Sequence, residues 1–118
     1  LEHGLKGSKK GVLYAFSKGF TDIVKVIIDY QEDLLNEKYN DGNSLLCKAC
    51  LKKNVDLVKF LLSKGIRVND QNDFGSTPLS ITCKYPSFYF RKRHQTYADI
   101  ASDFFSIASM LLENQANV

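Results

Sequence analysis

The sequence has few of the residues from which enzymatic and metal sites are built. It contains two histidines, His3 and His94, and neither has a carboxylate or a cysteine at a motif spacing. Among its three cysteines, Cys47 and Cys50 are separated by two residues, but no second such pair follows to complete a tetrahedral zinc site. It also lacks a glycine-rich phosphate-binding loop. We therefore predict that the chain is not an enzyme and holds no metal or cofactor.

Long hydrophobic runs are missing as well. No apolar stretch approaches the roughly 18 residues that cross a bilayer, and the N-terminus has no apolar core of a signal peptide. We therefore expect a soluble intracellular protein in the cytoplasm, with the nucleus or delivery into a host cell as alternatives. Because the chain opens with Leu1 rather than Met, we expect a fragment, with residues 1–9 as an N-terminal segment or a cloning remnant.

What the sequence does contain is an internal repeat with a period of 33 residues. At this spacing Asn36 matches Asn69, Gly42 matches Gly75, Ser44 matches Thr77, Leu46 matches Leu79 and Cys50 matches Cys83. Such a period indicates stacked supersecondary units, none of which buries its apolar face alone.

Each unit is predicted to consist of a turn, two helices and an exit loop. Gly42 and Gly75 supply the positive φ of a tight turn, Ser44 and Thr77 cap the helix that follows, and Pro78 suits the first helical position. A second helix then carries a wider apolar stripe and stops at Gly65. In the middle unit this stripe is Val55, Leu57, Val58, Leu61 and Leu62.

These motifs resemble those of ankyrin repeats. The segment Gly75-Ser76-Thr77-Pro78-Leu79 is similar to the Gly-x-Thr-Pro-Leu signature of that family, and residues 58–69 are similar to its second helix and its Gly-Ala-x-Val-Asn exit. The resemblance implies an all-α fold, a solenoid of stacked helix-turn-helix units joined by β-turn loops. It places the repeats at 10–40, 41–73 and 74–118.

The chain also departs from the family pattern. The third repeat has an insertion near 85–102, and its outer helix is predicted to restart near Tyr97 and to run to about Glu113. In the middle repeat Lys53-Asn54 replaces the Gly-His turn of the family. The histidine that ties neighbouring turns in the family is also replaced, so we expect that hydrogen-bond lattice to be weaker. Cys50 and Cys83, at matching positions beside small residues, are predicted to be buried, reduced thiols.

The resemblance implies a protein-interaction scaffold or adaptor, in which the turn tips and the concave face meet a protein partner. Turn tips project away from the helices, and their aromatic residues here are Tyr39 and Phe74. Aromatic side chains are enriched at interface anchors. The alternative is that both rings pack on a neighbouring turn.

On the concave face the matched repeats stack Tyr14 with Lys48 and Lys18 with Lys52. Leu51 stacks with Lys84. Because the net charge is only +3, its distribution matters more than its size. The four lysines predict a basic groove and an acidic partner. The alternative is an ordinary solvated lysine face.

The insertion places aromatic residues beside a basic cluster, and three interpretations stay open. Its candidate contacts are Phe88, Phe90, Arg91 and Arg93. The aromatics could form a small satellite core, the segment could be a partner-specific loop, or it could bind the phosphates of a nucleic acid or an anionic membrane. A further alternative to the scaffold function is a structural segment of a longer array, and we predict either a monomer or a part of such an array.

Overall fold

The computed structural model describes residues 8–84 and 97–114, with side chains over 9–84 and 102–114, and all regular structure in these ranges is helical. Two short 3-10 segments, Glu32–Asn36 and Asn40–Gly42, lie between the first and second helical pairs. The α-helices are α1 (Ser8–Ser17), α2 (Thr21–Tyr30), α3 (Leu45–Leu51), α4 (Val55–Ser63), α5 (Pro78–Lys84) and α6 (Tyr97–Glu113).

The helices pack as three successive hairpins. Within the hairpins α1 contacts α2, α3 contacts α4 and α5 contacts α6. Between hairpins α3 packs on α5, and the outer helices α2, α4 and α6 follow one another. The array measures 44 × 32 × 25 Å along its principal axes. The predicted all-α stack of helix-turn-helix units is therefore present.

Local sequence signals set the ends of these helices as predicted. The Ser44 Oγ caps α3 by accepting a hydrogen bond from the Cys47 N–H at 3.2 Å. Before α5, the Thr77 Oγ1 accepts from the Ser80 N–H at 3.2 Å, while the Ser80 Oγ accepts from the Thr77 N–H at 2.8 Å. Gly65, with φ +83°, follows the end of α4. The predicted helix from Tyr97 to Glu113 is also confirmed, and it has 17 residues where α4 has nine.

Burial at one repeated position of the outer helices shows where the stack is covered. Leu57 of α4 and Ile107 of α6 are both 0% exposed, whereas their counterpart Ile23 of α2 is 50% exposed. The difference follows from stacking, because α4 and α6 each have a preceding repeat in the described part of the chain. The fully buried core includes Val12, Val24, Ile28, Leu46, Leu57, Leu61, Ile107 and Leu111.

Stacking of neighbouring repeats also explains why the prediction for one cysteine is wrong. Cys50 is a buried free thiol as predicted, but Cys83 is exposed, and Cys47, for which no burial was predicted, is buried as well. Cys50 is covered by the following repeat, where it meets Thr82 of α5. Cys83 occupies the matching position in the third repeat, and no further repeat covers it among the described residues.

Lys53 connects the second repeat to the third. Its backbone is left-handed, with φ +54°, at the turn where the family resemblance expects glycine. Its buried side chain donates from Nζ to the Thr82 carbonyl at 2.8 Å and lies 5.8 Å from the ring centroid of Phe104. In a continuing helix that carbonyl would pair with the N–H of residue 86, but residue 86 is proline and has none. Lys53 therefore caps α5 from the neighbouring repeat, although burial lowers its pKa.

Asn54 has two roles that the sequence reasoning missed. Its Oδ1 accepts a hydrogen bond from the Leu57 N–H at 3.1 Å and so caps α4. Its Nδ2 donates to the Thr21 Oγ1 of the first repeat at 3.0 Å. Because one side chain makes both bonds, the start of α4 is fixed relative to the start of α2.

The buried thiol of Cys50 makes stability depend on pH in the alkaline range. Burial raises the pKa of Cys50 from 9.0 to about 12, against a smaller opposite effect of its hydrogen bond with Thr82. The folded chain therefore keeps this proton at pH values where the unfolded chain loses it. The stability contributed by Cys50 is fully present below about pH 9 and is lost as the pH rises toward about 12.

We expect the melting temperature of the wild-type chain to fall more steeply between about pH 8 and about pH 10.5 than that of Cys50→Ala, because alanine cannot ionise. Cys83→Ala, at an exposed thiol, is the matched control and should follow the wild type. Parallel pH curves for the wild type and Cys50→Ala would contradict this account.

Candidate functional site

An open groove runs between α1 and the second repeat on the side of the inner helices. Its volume is about 560 Å³. The groove is lined by Lys10, Leu13, Tyr14, Phe16, Ser17, Asn40, Lys48 and Lys52. It therefore lies across the junction of two repeats, with apolar and aromatic side chains of α1 and lysines of the second repeat in its lining.

Lysine side chains lie over the aromatic rings of this groove. The Lys48 Nζ is 5.5 Å from the ring centroid of Phe16, and the Lys18 Nζ is 5.6 Å from that of Tyr14. A cation at this distance is attracted to the ring face, which restricts where the ammonium group goes. One positive charge is thus held over each ring, and the Tyr14 side chain is 63% exposed.

Lys48 of α3 and Lys52, which directly follows α3, also influence each other. Lys48 and Lys52 are one helical turn apart, so their side chains share a face. Burial, and then the charge of Lys52, lowers the pKa of Lys48, while Asp41 acts in the opposite direction. A negative ligand in the groove would relieve this repulsion.

The turns that precede α3 and α5 form a direct lattice. The Asp73 N–H donates to the Asp41 carbonyl at 2.9 Å, and the Asn72 Nδ2 donates to the Asn43 Oδ1 at 2.9 Å. Gly42, with φ +70°, lies directly against Asp73. These asparagine and backbone contacts join the turns where the histidine of the family pattern is missing.

In the part of the chain that the structure describes, no group of three or more metal-ligating side chains comes together. None of the helices described here has both the length and the apolar character needed to span a membrane.

A family model for ankyrin repeats, described as three copies, matches residues 12–118. The chain belongs to the ankyrin-repeat family. Ankyrin repeats are generally protein–protein interaction modules and typically non-enzymatic scaffolds. The resemblance read from the Gly-x-Thr-Pro-Leu motif is thereby confirmed for nearly the whole chain.

Only some of the predicted contact residues meet in the ankyrin groove. Tyr14, Lys48 and Lys52 line it, and Lys18 reaches it by lying over the Tyr14 ring. The half-buried Leu51 and the exposed Lys84 are on α3 and α5 but are not among its lining residues. The predicted insertion contacts lie outside the described residues. These are Phe88, Phe90, Arg91 and Arg93.

Sequence reasoning missed part of the groove. Lys10 and Leu13 line it from α1, and Asn40 lines it from the turn. The helical spacing of the sequence could have indicated Lys10, because Lys10 precedes Tyr14 by four residues and so lies on the same face of the helix. Asn40 had no such signal, since its position depends on how the turn folds over α1.

The two aromatic residues of the ankyrin turns differ in exposure. Phe74 is 75% exposed, as its predicted role at a turn tip requires. Tyr39 is only 7% exposed, so the prediction that it projects toward a partner is wrong. Its hydroxyl donates to the Leu34 carbonyl at 3.3 Å, and the Lys9 Nζ lies 5.3 Å from its ring centroid. Tyr39 therefore holds the turn on the first repeat, and burial raises its pKa to about 12.

Proposed function

We propose that this ankyrin array is a scaffold or adaptor that binds an acidic protein partner through its concave face, with Phe74 as a contact at the turn tip. The observation that carries the proposal is the groove that Lys10, Lys48 and Lys52 line together with Tyr14. Its walls are helices of a packed array. Binding there orders little of the protein, which keeps the entropy cost low.

The arrangement of charges supports an acidic partner. On the outer helices two acidic groups pair with lysines, Asp56 with the Lys25 Nζ at 2.6 Å and Asp29 with the Lys64 Nζ at 2.6 Å. The groove, in contrast, is lined by lysines and by no acidic residue. Positive potential is therefore concentrated on the concave side, which favours encounter with negative surfaces.

The test is capture of partners from cell lysate at low and moderate salt, with identification of the retained proteins by mass spectrometry. The double variant Lys48→Glu, Lys52→Glu is expected to lose the proteins that the wild type retains, because it reverses the charge of one groove wall. Lys59→Glu, on the exposed side of α4, makes the same type of change away from the groove and should retain them. Equal capture by all three proteins would contradict the proposal.

The same assay tests the turn tip. Phe74→Ala is expected to weaken capture about tenfold, as loss of an interface aromatic does. Its stability should stay within about 0.5 kcal/mol of the wild type because the ring is exposed. Phe105→Ala removes a ring that is 72% exposed on α6 and is the matched control. Unchanged capture by Phe74→Ala would remove the turn tip from the binding surface.

A second candidate function is a structural segment of a longer array. Two exposed side chains on the outer helices favour it. Ile23 is 50% exposed, whereas its counterpart Leu57 is fully buried. Leu112 is 49% exposed, whereas its counterpart Leu62 is partly buried. Both positions suit stacking of further repeats. In this case the stacked repeats, rather than the groove, would determine what the chain assembles with.

The remaining alternative assigns binding to the insertion. The triple variant Arg91→Ala, Lys92→Ala, Arg93→Ala distinguishes it in the capture assay. One result would assign binding to the insertion: this variant alone fails to bind, and nucleic acid or lipid is recovered with the wild type. In that case the proposal that the concave face binds an acidic protein is wrong. We propose the cytoplasm as the site of the interaction, with the nucleus or a host cell as alternatives.

A further inference from the structure

The groove between α1 and α3 combines two kinds of surface. Leu13 and Phe16 are half-buried and packed against the hydrophobic core, and the exposed ring of Tyr14 stands beside them. The lysines lie around this apolar surface, together with the polar groups of Ser17 and Asn40. A ligand that fills the groove must therefore offer both an apolar group and negative charge.

The charges come from both walls. Lys10 is on α1, one turn before Tyr14, whereas Lys48 is on α3 and Lys52 directly follows its last residue. A chain segment laid across the apolar surface would meet a lysine on either side of it. The pattern that complements the groove is thus an apolar side chain with carboxylates before and after it.

We propose that the groove binds an extended acidic segment of a protein partner, in which one large apolar side chain packs between Tyr14 and Phe16 and flanking carboxylates pair with Lys10 on one side and with Lys48 and Lys52 on the other. This inference rests on the proposed function and specifies the ligand of the same face.

A nucleic acid fits the groove less well. Single strands bind mainly by stacking bases on open aromatic faces. Here Lys18 lies over Tyr14 and Lys48 lies over Phe16, so a base stacked on either of these ring faces would displace an ammonium group, whereas the proposed apolar side chain packs between the two rings. Asp41 acts on Lys48 and places a negative charge near that wall, which a phosphate backbone would meet. A peptide with separated carboxylates brings fewer negative charges near Asp41 than a continuous phosphate backbone does.

The test uses three short fluorescein-labelled peptides and fluorescence anisotropy. The first has a central phenylalanine with two glutamates on each side. The second replaces the glutamates by glutamines, and the third replaces the phenylalanine by glycine. The wild-type chain is expected to bind the first peptide about tenfold or more tightly than either of the others, since exposed ion pairs and a buried ring each contribute on the order of a kcal/mol.

Variants then assign the contacts. The double variant Lys48→Gln, Lys52→Gln is expected to bind the glutamate peptide about tenfold more weakly than the wild type does. Its affinity for the glutamine peptide should be nearly unchanged. Tyr14→Ala should reduce the affinity for the phenylalanine peptide more than the affinity for the glycine peptide. Lys59→Gln removes one charge from α4, away from the groove, and should bind as the wild type does. Circular dichroism and melting temperature verify that each variant is folded.

Three results would overturn the inference. They are no detectable binding of the glutamate peptide, equal binding of the glutamate and glutamine peptides, and tighter binding of a labelled single-stranded oligonucleotide. If lysate capture still depends on Lys48 and Lys52 while the peptides fail in this way, the proposed function stands and only the ligand pattern is wrong. If capture is also independent of these lysines, both fail.

Discussion

Gly42→Ala is expected to destabilise the array by about 3 kcal/mol. Gly42 has φ +70°, and a Cβ built there would lie 2.7 Å from the Asp73 Cγ and 2.9 Å from the Asp73 backbone nitrogen. A side chain in the left-handed region costs about 1–2 kcal/mol, and overpacking against backbone adds about 1–3 kcal/mol. The displaced nitrogen is also the donor of the hydrogen bond to the Asp41 carbonyl. The substitution therefore separates two neighbouring turns.

Gly75→Ala is the matched control, since Gly75 occupies the same place in the next repeat. Its φ of +78° is similar, but a Cβ there would meet nothing within 4 Å. We expect the free energy of unfolding to fall by about 1 kcal/mol, because of the backbone conformation alone. Urea titration of the three proteins measures the difference. Equal losses for the two variants would show that contact with Asp73 does not limit position 42.

Leu57→Ala is expected to destabilise the array by about 2–5 kcal/mol, because it removes a fully buried side chain from α4, the outer helix that packs on α2. Ile23→Ala removes the same number of carbon atoms at the matching position of α2. As Ile23 is 50% exposed, we expect a loss below about 1 kcal/mol. The comparison tests whether burial at this position comes from the preceding repeat.

Both changes are measured by chemical denaturation at a fixed pH near neutrality. A loss at Ile23 as large as that at Leu57 would mean that the outer face of α2 is covered in solution. That result would support the longer array or self-association, and the dependence of the midpoint on protein concentration separates the two.

Much of the fold could be predicted from local sequence signals. Ser44, Thr77 and Gly65 act through bonds and backbone angles within a few residues of themselves, so their roles follow from residue type and position. The period of 33 then places one unit on the next, and the predicted end of the last helix at Glu113 is confirmed.

The features that could not be predicted depend on neighbouring repeats. Tyr39 and Phe74 both stand in turns, and only the packing of the first repeat decides that one is buried and the other exposed. Cys83 matches Cys50 in sequence but lacks the covering that Thr82 gives to Cys50. The cap that Lys53 places on Thr82 crosses 29 residues of sequence and leaves no local signal.

The position of the groove across the first and second repeats has a consequence for folding. In a stack with nearest-neighbour contacts, a repeat held by one interface opens more readily than a repeat held by two, and among the described residues the first repeat packs on the second. In the second repeat, by contrast, α3 packs on α5, and Leu45, Leu46 and Ala49 of α3 are 0% exposed. Because the groove is formed jointly by α1 and the second repeat, it exists only while the first repeat is docked. A ligand in the groove therefore suppresses fraying of that repeat, and its observed affinity is reduced by the fraction of molecules in which α1 is detached.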